Sequence, residues 1–202
     1  MRLEPGAGIR AFNGRDGEFT GTLSTLDKKQ AVLTLQSRIR QQPQENRRIH
    51  LLFAPIRKER MDWLVEKSVE LGATDLHPVL TQNTDNRKVN EERMRAQIIE
   101  AAEQCERLDI PTLHAADDLF KILTGWNPEI PVLAAVERVD APLLSASLPK
   151  SELAILIGPS GGFTREEKDQ LGRLKCVRPV SLGQTILRSE TAAIAALAVL
   201  AL

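Results

Sequence analysis

Residues 154–164 read AILIGPSGGFT. Four aliphatic or small residues run straight into Gly158-Pro159-Ser160-Gly161-Gly162, and Thr-Arg-Glu-Glu follows from Thr164. A strand, a glycine-rich turn and a helix start are the ingredients of an anion site, because free N–H groups at the helix end point at the ligand. Thr164 with Glu167 three residues later fits a capping box, so the spacing predicts a helix beginning there. Phosphate is nevertheless disfavoured. Neither G-x-x-x-x-G-K-[ST] nor G-x-G-x-x-G occurs, and Glu166 and Glu167 already complement the positive helix end and would repel a polyphosphate. What remains is a backbone without Cβ atoms that a flat ligand can approach closely. Taken alone, the loop is either an adenosine-like site or a plain turn.

Working outward, strand-like apolar runs occupy Ile49–Phe53, Leu76–Leu80, Val132–Val136, Leu153–Ile157 and Val177–Leu182. Between the first two, Met61, Leu64, Val65, Val69 and Leu71 fall near helical spacing and Gly72 offers a stop. Trp63 sits among them and reads as core. Asn90 can cap a helix carrying Met94, Ile98, Ala101, Ala102 and Cys105, and further helices are expected after the last two strands. This alternation predicts a mostly parallel sheet with helices on both faces from about residue 46 onward. The first 35 residues differ. Ile9–Phe12, Glu18–Leu26 and Gln30–Leu35 are short β segments punctuated by Asn13-Gly14, Asp16-Gly17 and a turn at Asp27-Lys28-Lys29. The stretch QSRIRQQPQENRR, residues 36–48, is polar and proline-interrupted and reads as a linker. The expected organisation is a small β domain over 1–45 followed by an α/β domain over 46–202.

The totals narrow the class. The chain has 202 residues, 42% hydrophobic and 27% charged, as expected for a soluble globular protein. Lys+Arg and Asp+Glu are 27 each, which excludes a wholesale polycation but permits a local basic face. Cys105 and Cys176 show no metal-type spacing and no signal peptide precedes them, so a reduced cytoplasmic location is expected. His50, His77 and His114 are scattered and read as ordinary surface or packing histidines; no metal is expected. The apolar run Thr191–Leu202 is too short to cross a bilayer and reads as a packing helix.

The second informative stretch is SLGQTILRSETAAIAAL, residues 181–197: a strand end at Leu182-Gly183, then Ile186-Leu187-Arg188, then a helix from Ser189 or Glu190. Locally it could be a turn and an alanine-rich packing helix with Arg188 and Glu190 as an exposed ion pair. Together, IGPSGGFTREE (157–167) and VSLGQTILRSETAA (180–193) resemble the RsmE family, ribosomal RNA uridine N3-methyltransferases of the SPOUT class. RMDWLVEKSVELGATDLHPVL (60–80) and IIEAAEQCERLDIP (98–111) agree, so the resemblance covers nearly the whole chain in order.

The resemblance implies a C-terminal SPOUT α/β domain with a deep trefoil knot, which is rare among folds. It implies S-adenosylmethionine in that knot, held mostly by main-chain groups at Gly158, Pro159, Gly161, Gly162, Leu182, Gly183, Ile186 and Leu187, with Glu137 nearby. It also implies homodimerisation through the knotted domain and a PUA-like RNA-binding domain at the N-terminus. Relatives usually have a further strand or two before RLEPGAGIRAFNGRDGEF (2–19), so this β domain is expected to be incomplete. Ser160 stands where the family most often has glutamate, and Asn83 in a loop where relatives often carry arginine.

Methylating N3 of a uridine in 16S ribosomal RNA requires loss of the imide proton and stabilisation of charge on the flanking carbonyl oxygens. Arg188 fits the second task, as a permanent cation. Glu190 fits orientation of Arg188 or acceptance of a proton. For RNA of the small ribosomal subunit, the matching positions are Arg57, Lys58, Lys67, Gln104 and Arg107. Arg2, Arg10, Arg15, Lys28 and Lys29 would add a basic face on the β domain. Two other readings keep the fold: a non-catalytic RNA-binding or ribosome-assembly factor, and a SPOUT methyltransferase with another RNA target. The first would fail to bind S-adenosylmethionine, and the modified nucleoside would reveal the second.

Overall fold

The computed structural model describes residues 3–27, 30–44, 47–146 and 152–201. The chain divides into two compact units, one of residues 1–45 with 102–110, the other of residues 46–101 with 111–202.

In the first unit, β1 (Gly8–Phe12), β2 (Glu18–Leu26) and β3 (Ala31–Arg40) form an antiparallel sheet in the order β1-β2-β3. The start of the expected linker is strand instead: β3 runs to Arg40 and pairs with β2 as far as Glu18↔Arg40, its register shifted by irregularities along the way. A polar sequence can do this because the ladder to β2 satisfies the backbone while the side chains of β3 stay almost wholly exposed. Glu18 is buried and takes ion pairs from Arg10 and Arg40 at 3.5 and 3.4 Å. Arg10 is therefore engaged within the unit, Arg15 is exposed, and Arg2, Lys28 and Lys29 lie outside the described residues.

The second unit holds β4 (Ile49–Phe53), α1 (Lys58–Glu70), β5 (Asp75–Leu80), β6 (Thr112–Leu113), β7 (Asp117–Asp118), α3 (Leu119–Thr124), β8 (Val132–Ala135), β9 (Leu153–Ile157), α4 (Arg165–Leu171), β10 (Val177–Val180) and α5 (Ser189–Ala201). The helix α2 (Glu91–Gln104) begins here, its Arg93 N–H donating to Asn90 Oδ1 at 3.0 Å. The sheet is parallel, in the order β10-β8-β9-β4-β5-β6, with β7 beside β5. Every residue of the central pair β4 and β9 is buried, which explains why both read as unbroken runs rather than alternating ones. Truncating such a side chain, Leu156→Ala for instance, would cost about 2–5 kcal/mol. β6, β7 and α3 carry too little periodicity to be predicted; Asp118 caps α3, accepting from Phe120 N and Lys121 N.

One expectation about a single residue fails. Trp63 is 45% exposed, because the buried stripe of α1 is Met61, Leu64, Val65, Ser68 and Val69 and position 63 faces away from it. The three histidines, scattered in sequence, are surface or packing residues as expected, but they pack on one another: His50 and His77 are buried together, and the His114 ring stacks on His77 with centroids 3.8 Å apart. Parallel pairing of β4 with β5 and of β5 with β6 brings these distant positions side by side.

Candidate functional site at the carboxyl ends of three strands

The strands β9, β8 and β10 end side by side, and the loops leaving them enclose a cavity of about 400 Å³. Open α/β sheets bind ligands at the carboxyl ends of their strands, where successive connections diverge, and small-molecule sites occupy about 300–1,000 Å³. β10 pairs with β8 and not with β9, which precedes it in the chain, so the connections diverge at this point.

One wall is the loop after β9. Pro159 O accepts from Gly162 N–H at 2.9 Å, closing the turn. Thr164 then caps α4 in a full capping box: its Oγ1 accepts from Glu167 N–H at 3.2 Å and Glu167 Oε2 accepts from Thr164 N–H at 2.8 Å. Glu167 Oε1 also takes Gln82 N–H at 2.8 Å, and Asn83 Nδ2 donates to Gly162 O at 3.0 Å. The loop is thus fastened from both sides, and Glu167 is spent on structure. Gly158 is required by close approach, since a Cβ there would meet the Phe163 ring at 2.8 Å. The opposite wall is residues 181–187. Gly183 has φ +120° with nothing within 4 Å of a would-be Cβ, and its N–H and C=O are both tied to Ser181 Oγ, at 3.2 and 3.3 Å.

Of the predicted cofactor residues, Glu137, Gly158, Pro159, Gly162, Leu182, Gly183, Ile186 and Leu187 all line the cavity. Gly161 does not; it is exposed and faces Asn83, 3.4 Å from its would-be Cβ. The sequence missed Arg138 and Lys168, which also line the cavity: Lys168 Nζ donates to Glu137 O at 3.2 Å, and Arg138 holds φ +60°. With Val136, Ile157 and Val180 as apolar surface, the site is a pocket of aliphatic walls and peptide groups whose charged side chains are Glu137, Arg138 and Lys168. The aliphatic walls and peptide groups suit a nucleoside-sized ligand, and Glu137 is the acid that can face a cationic group on it.

Arg188 and Glu190 flank this cavity and do not line it. Arg188 is exposed, and its carbonyl accepts from Ala192 N–H at 2.7 Å at the start of α5. Glu190 is buried and pairs with Arg60 of α1, Nε to Oε1 3.5 Å, so its ion pair runs across helices and is not the exposed Arg188–Glu190 pair of the purely local reading. Glu190 Oε2 is buried without a hydrogen-bond partner, a costly state for a carboxylate oxygen.

Among the RNA candidates, Arg57 and Lys58 are exposed at the start of α1, and Lys58 lines a second cavity of about 290 Å³ with Lys88 and Arg93. Lys67 bonds to Glu66 and Glu70 at 2.7 and 2.8 Å, hydrogen bonds that hold its ammonium above the ordinary lysine range. Gln104 is exposed at the end of α2. Arg107 bonds to Asp109 through Nε at 3.0 Å; burial would raise the Asp109 carboxyl, but the arginine outweighs this and holds it below its usual range.

Comparison with known proteins agrees with this geometry. The RNA methyltransferase domain family matches residues 43–201, and the RNA methyltransferase PUA domain family matches residues 1–36. Ribosomal RNA small subunit methyltransferase E of Rickettsia conorii is 34% identical over 98% of this chain and 82% of its own. The Synechocystis protein of the same name is 32% identical over 98% of this chain and 67% of its own. The crystal structure of a ribosomal RNA small subunit methyltransferase E from Neisseria gonorrhoeae bound to S-adenosyl methionine superposes with a TM-score of 0.84, at 28% identity, covering 97% of this chain and 83% of that one. Among the described residues no helix is long and apolar enough to cross a membrane. A strand-loop-helix cavity built from peptide groups, matched over nearly the whole chain by these relatives, places the chain in the ribosomal RNA small subunit methyltransferase E family.

Proposed function

We propose that this protein methylates N3 of a uridine in the 16S ribosomal RNA of the small subunit, using S-adenosylmethionine. The observation that carries the reading is the coincidence of the cavity with the two loops, 158–163 and 181–187, through which the chain resembles its family. Bound S-adenosylmethionine supplies an electrophilic methyl group on a sulfonium. Peptide groups at Gly158, Pro159, Gly162, Leu182 and Gly183 suit the polar edge of adenine, and Ile157, Val180, Ile186 and Leu187 its faces, while Glu137 complements the positive charge. Gly161 acts at one remove, by letting the loop pack against Asn83.

The chain's own chemistry concerns the uracil. Arg188, exposed beside the cavity, holds a permanent positive charge where the imide anion develops on the flanking carbonyl oxygens. Glu190, anchored by Arg60 and with Oε2 unpartnered, is poised to accept a hydrogen bond or a proton from a group docked there. Arg57, Lys58, Lys67, Gln104 and Arg107 belong to the RNA-binding part of this reading, with Arg57 and Lys58 best placed for phosphate, since among the described residues neither forms an ion pair.

The same reading includes a trefoil knot, a homodimer, a PUA-like domain over 1–45 ahead of a catalytic domain over 46–202, and a cytoplasmic location. Supporting the knot, β10 lies beyond β8 while α5 returns to pack on β9 and α1, so the last segment recrosses the sheet. Supporting the dimer, Ile186, Leu143 and Val139 are 61%, 55% and 40% exposed, an apolar group at the rim of the site. The test is incubation of small subunits from a strain lacking the modification with the protein and S-adenosylmethionine, followed by nucleoside mass spectrometry. N3-methyluridine in 16S RNA is expected. Cofactor binding without any methylated nucleoside would point to an assembly factor, and a different modified nucleoside to another target.

A further inference from the structure

At the amino-terminal half of the same sheet, far along the strands from the glycine cavity, the structure gathers seven polar side chains that the methyl-transfer reading does not use. His50 Nε2 lies 2.7 Å from Glu152 Oε1. A carboxylate only accepts, so Nε2 carries the proton and the other ring nitrogen, Nδ1, presents its lone pair in the neutral ring. That Nδ1 is 3.1 Å from His77 Nε2 and 3.7 Å from Asp75 Oδ2, and the ligand atoms of the three residues all lie within 4.8 Å of one another. A tetrahedral zinc ion with bonds of about 2.0–2.1 Å separates neighbouring ligand atoms by about 3.3–3.4 Å. The two edges from His50 Nδ1, 3.1 and 3.7 Å, bracket that value, and the third lies within 4.8 Å.

The three groups are also held from behind. Asp75 accepts from Arg48 at 2.9 Å through both oxygens, from Thr74 Oγ1 at 2.9 Å, and stands 2.9 Å from His114 Nε2. The His77 ring is clamped between the stacked His114 and the edge of Trp126, whose Nε1 is committed to Ile130 O at 3.0 Å. Carboxylate behind imidazole, and donors behind carboxylate, is the arrangement that orients metal ligands in advance. Charge favours a cation as well: Asp75 and Glu152 face the single positive charge of Arg48, and a neutral imidazole is the ligating form. His114, Arg48 and Glu152 are 40%, 45% and 32% exposed, so the cluster has a way in from solvent.

We propose that His50 Nδ1, His77 Nε2 and Asp75 Oδ2 bind a divalent transition-metal ion of the zinc class, leaving a fourth position to solvent. As the ion enters, neutral His77 changes tautomer, its proton passing from Nε2 to Nδ1 through solvent, so no net proton is released and no redox step is involved. The ion ties β4 to β5 and stabilises the folded state in proportion to its occupancy.

The experiment is titration of the full chain, stripped with a chelator, with Co²⁺ followed by visible absorption, then displacement by Zn²⁺. Expected is a saturable tetrahedral-type band that Zn²⁺ abolishes, a rise in melting temperature with Zn²⁺, and the same band in a Cys105→Ser, Cys176→Ser double variant. His77→Phe should remove the band. Glu152→Gln, altering only the supporting shell, should weaken binding by about 10–100-fold and decides the matter if His77→Phe does not fold. Absence of binding by the folded parent overturns the proposal; so does a band lost with the cysteines, or an affinity unchanged in Glu152→Gln.

Discussion

The two ends of the parallel sheet solve opposite problems with opposite materials. At the carboxyl ends of β8, β9 and β10 the chain offers peptide groups and aliphatic walls around a cavity of about 400 Å³. Its charged lining is limited to Glu137, Arg138 and Lys168, and the loop is tied by hydrogen bonds that consume Glu167 and Asn83. At the amino ends of β4 and β5, three imidazoles and two carboxylates are packed against one another under Trp126. The first end depends on the absence of side chains, the second on their dense presence. Recognition by backbone needs conformations few residues adopt; a polar cluster needs every member satisfied, because an unpaired buried polar group costs about 1–3 kcal/mol.

The sharpest way to break this comparison is at the rim of the first end. Arg188→Ala should lower kcat by about 10²–10³-fold, the usual cost of removing a donor to a developing oxyanion, with S-adenosylmethionine affinity, measured by calorimetry, nearly unchanged. Loss of cofactor binding instead would mean that Arg188 shapes the cavity. Next comes Gly158→Val. Overpacking against Phe163 should cost about 1–3 kcal/mol, weakening cofactor binding by about 10–100-fold, while Gly161→Ala, at 3.4 Å from Asn83, should be far milder.

At the other end the readout is acid stability. Burial first, then the charges of His114 and His50, push His77 down to about 3 from 6.5. Burial alone would raise Asp75, but hydrogen bonds from His114 and Thr74 and the charges of His50 and Arg48 keep it below its ordinary value. Both groups are depressed on folding, so both contribute stability at neutral pH that is lost on acidification. For His77 the loss begins below pH 6.5, because the unfolded chain binds its proton first. Metal-free protein should lose about 2 kcal/mol between pH 7 and pH 5 from this residue, measured by urea denaturation, and His77→Phe should flatten that slope. A slope unchanged in the variant would assign the acid sensitivity elsewhere. The smallest effect is expected at Thr164→Ala, which removes half of the capping box of α4 at about 1 kcal/mol, read as a lower melting temperature with cofactor affinity little changed.

The difference between the two ends also explains what could be read in advance. Gly158, Gly162 and Gly183 lie in two short, contiguous stretches, and strand-turn-helix succession marks such a loop locally, so eight of the nine predicted cofactor residues line one cavity. The histidines are separated by 27 and 37 positions (50 to 77, 77 to 114), and no local signal connects them. The exposure of Trp63 and the Arg60 partner of Glu190 escaped the sequence for a related reason. Each residue lies on a helix whose apolar stripe is defined only once its neighbour is known, and α1 and α5 pack on each other, burying Glu190 against Arg60 and leaving Trp63 outside.

By itself, the sequence determined the alternation of strand and helix, the buried central strands β4 and β9, the capped glycine loop and the family, because each is written in adjacent residues as periodicity, capping or a contiguous motif. The tertiary structure decided which strands are neighbours. That choice closes the cavity from loops that start on β8, β9 and β10, takes Glu190 from Arg188 and gives it to Arg60, and assembles His50, Asp75, His77 and His114 into one cluster. Side-chain proximity across a parallel sheet depends on strand order and register, and these are set by the sum of weak packing energies over the whole core rather than by any single segment.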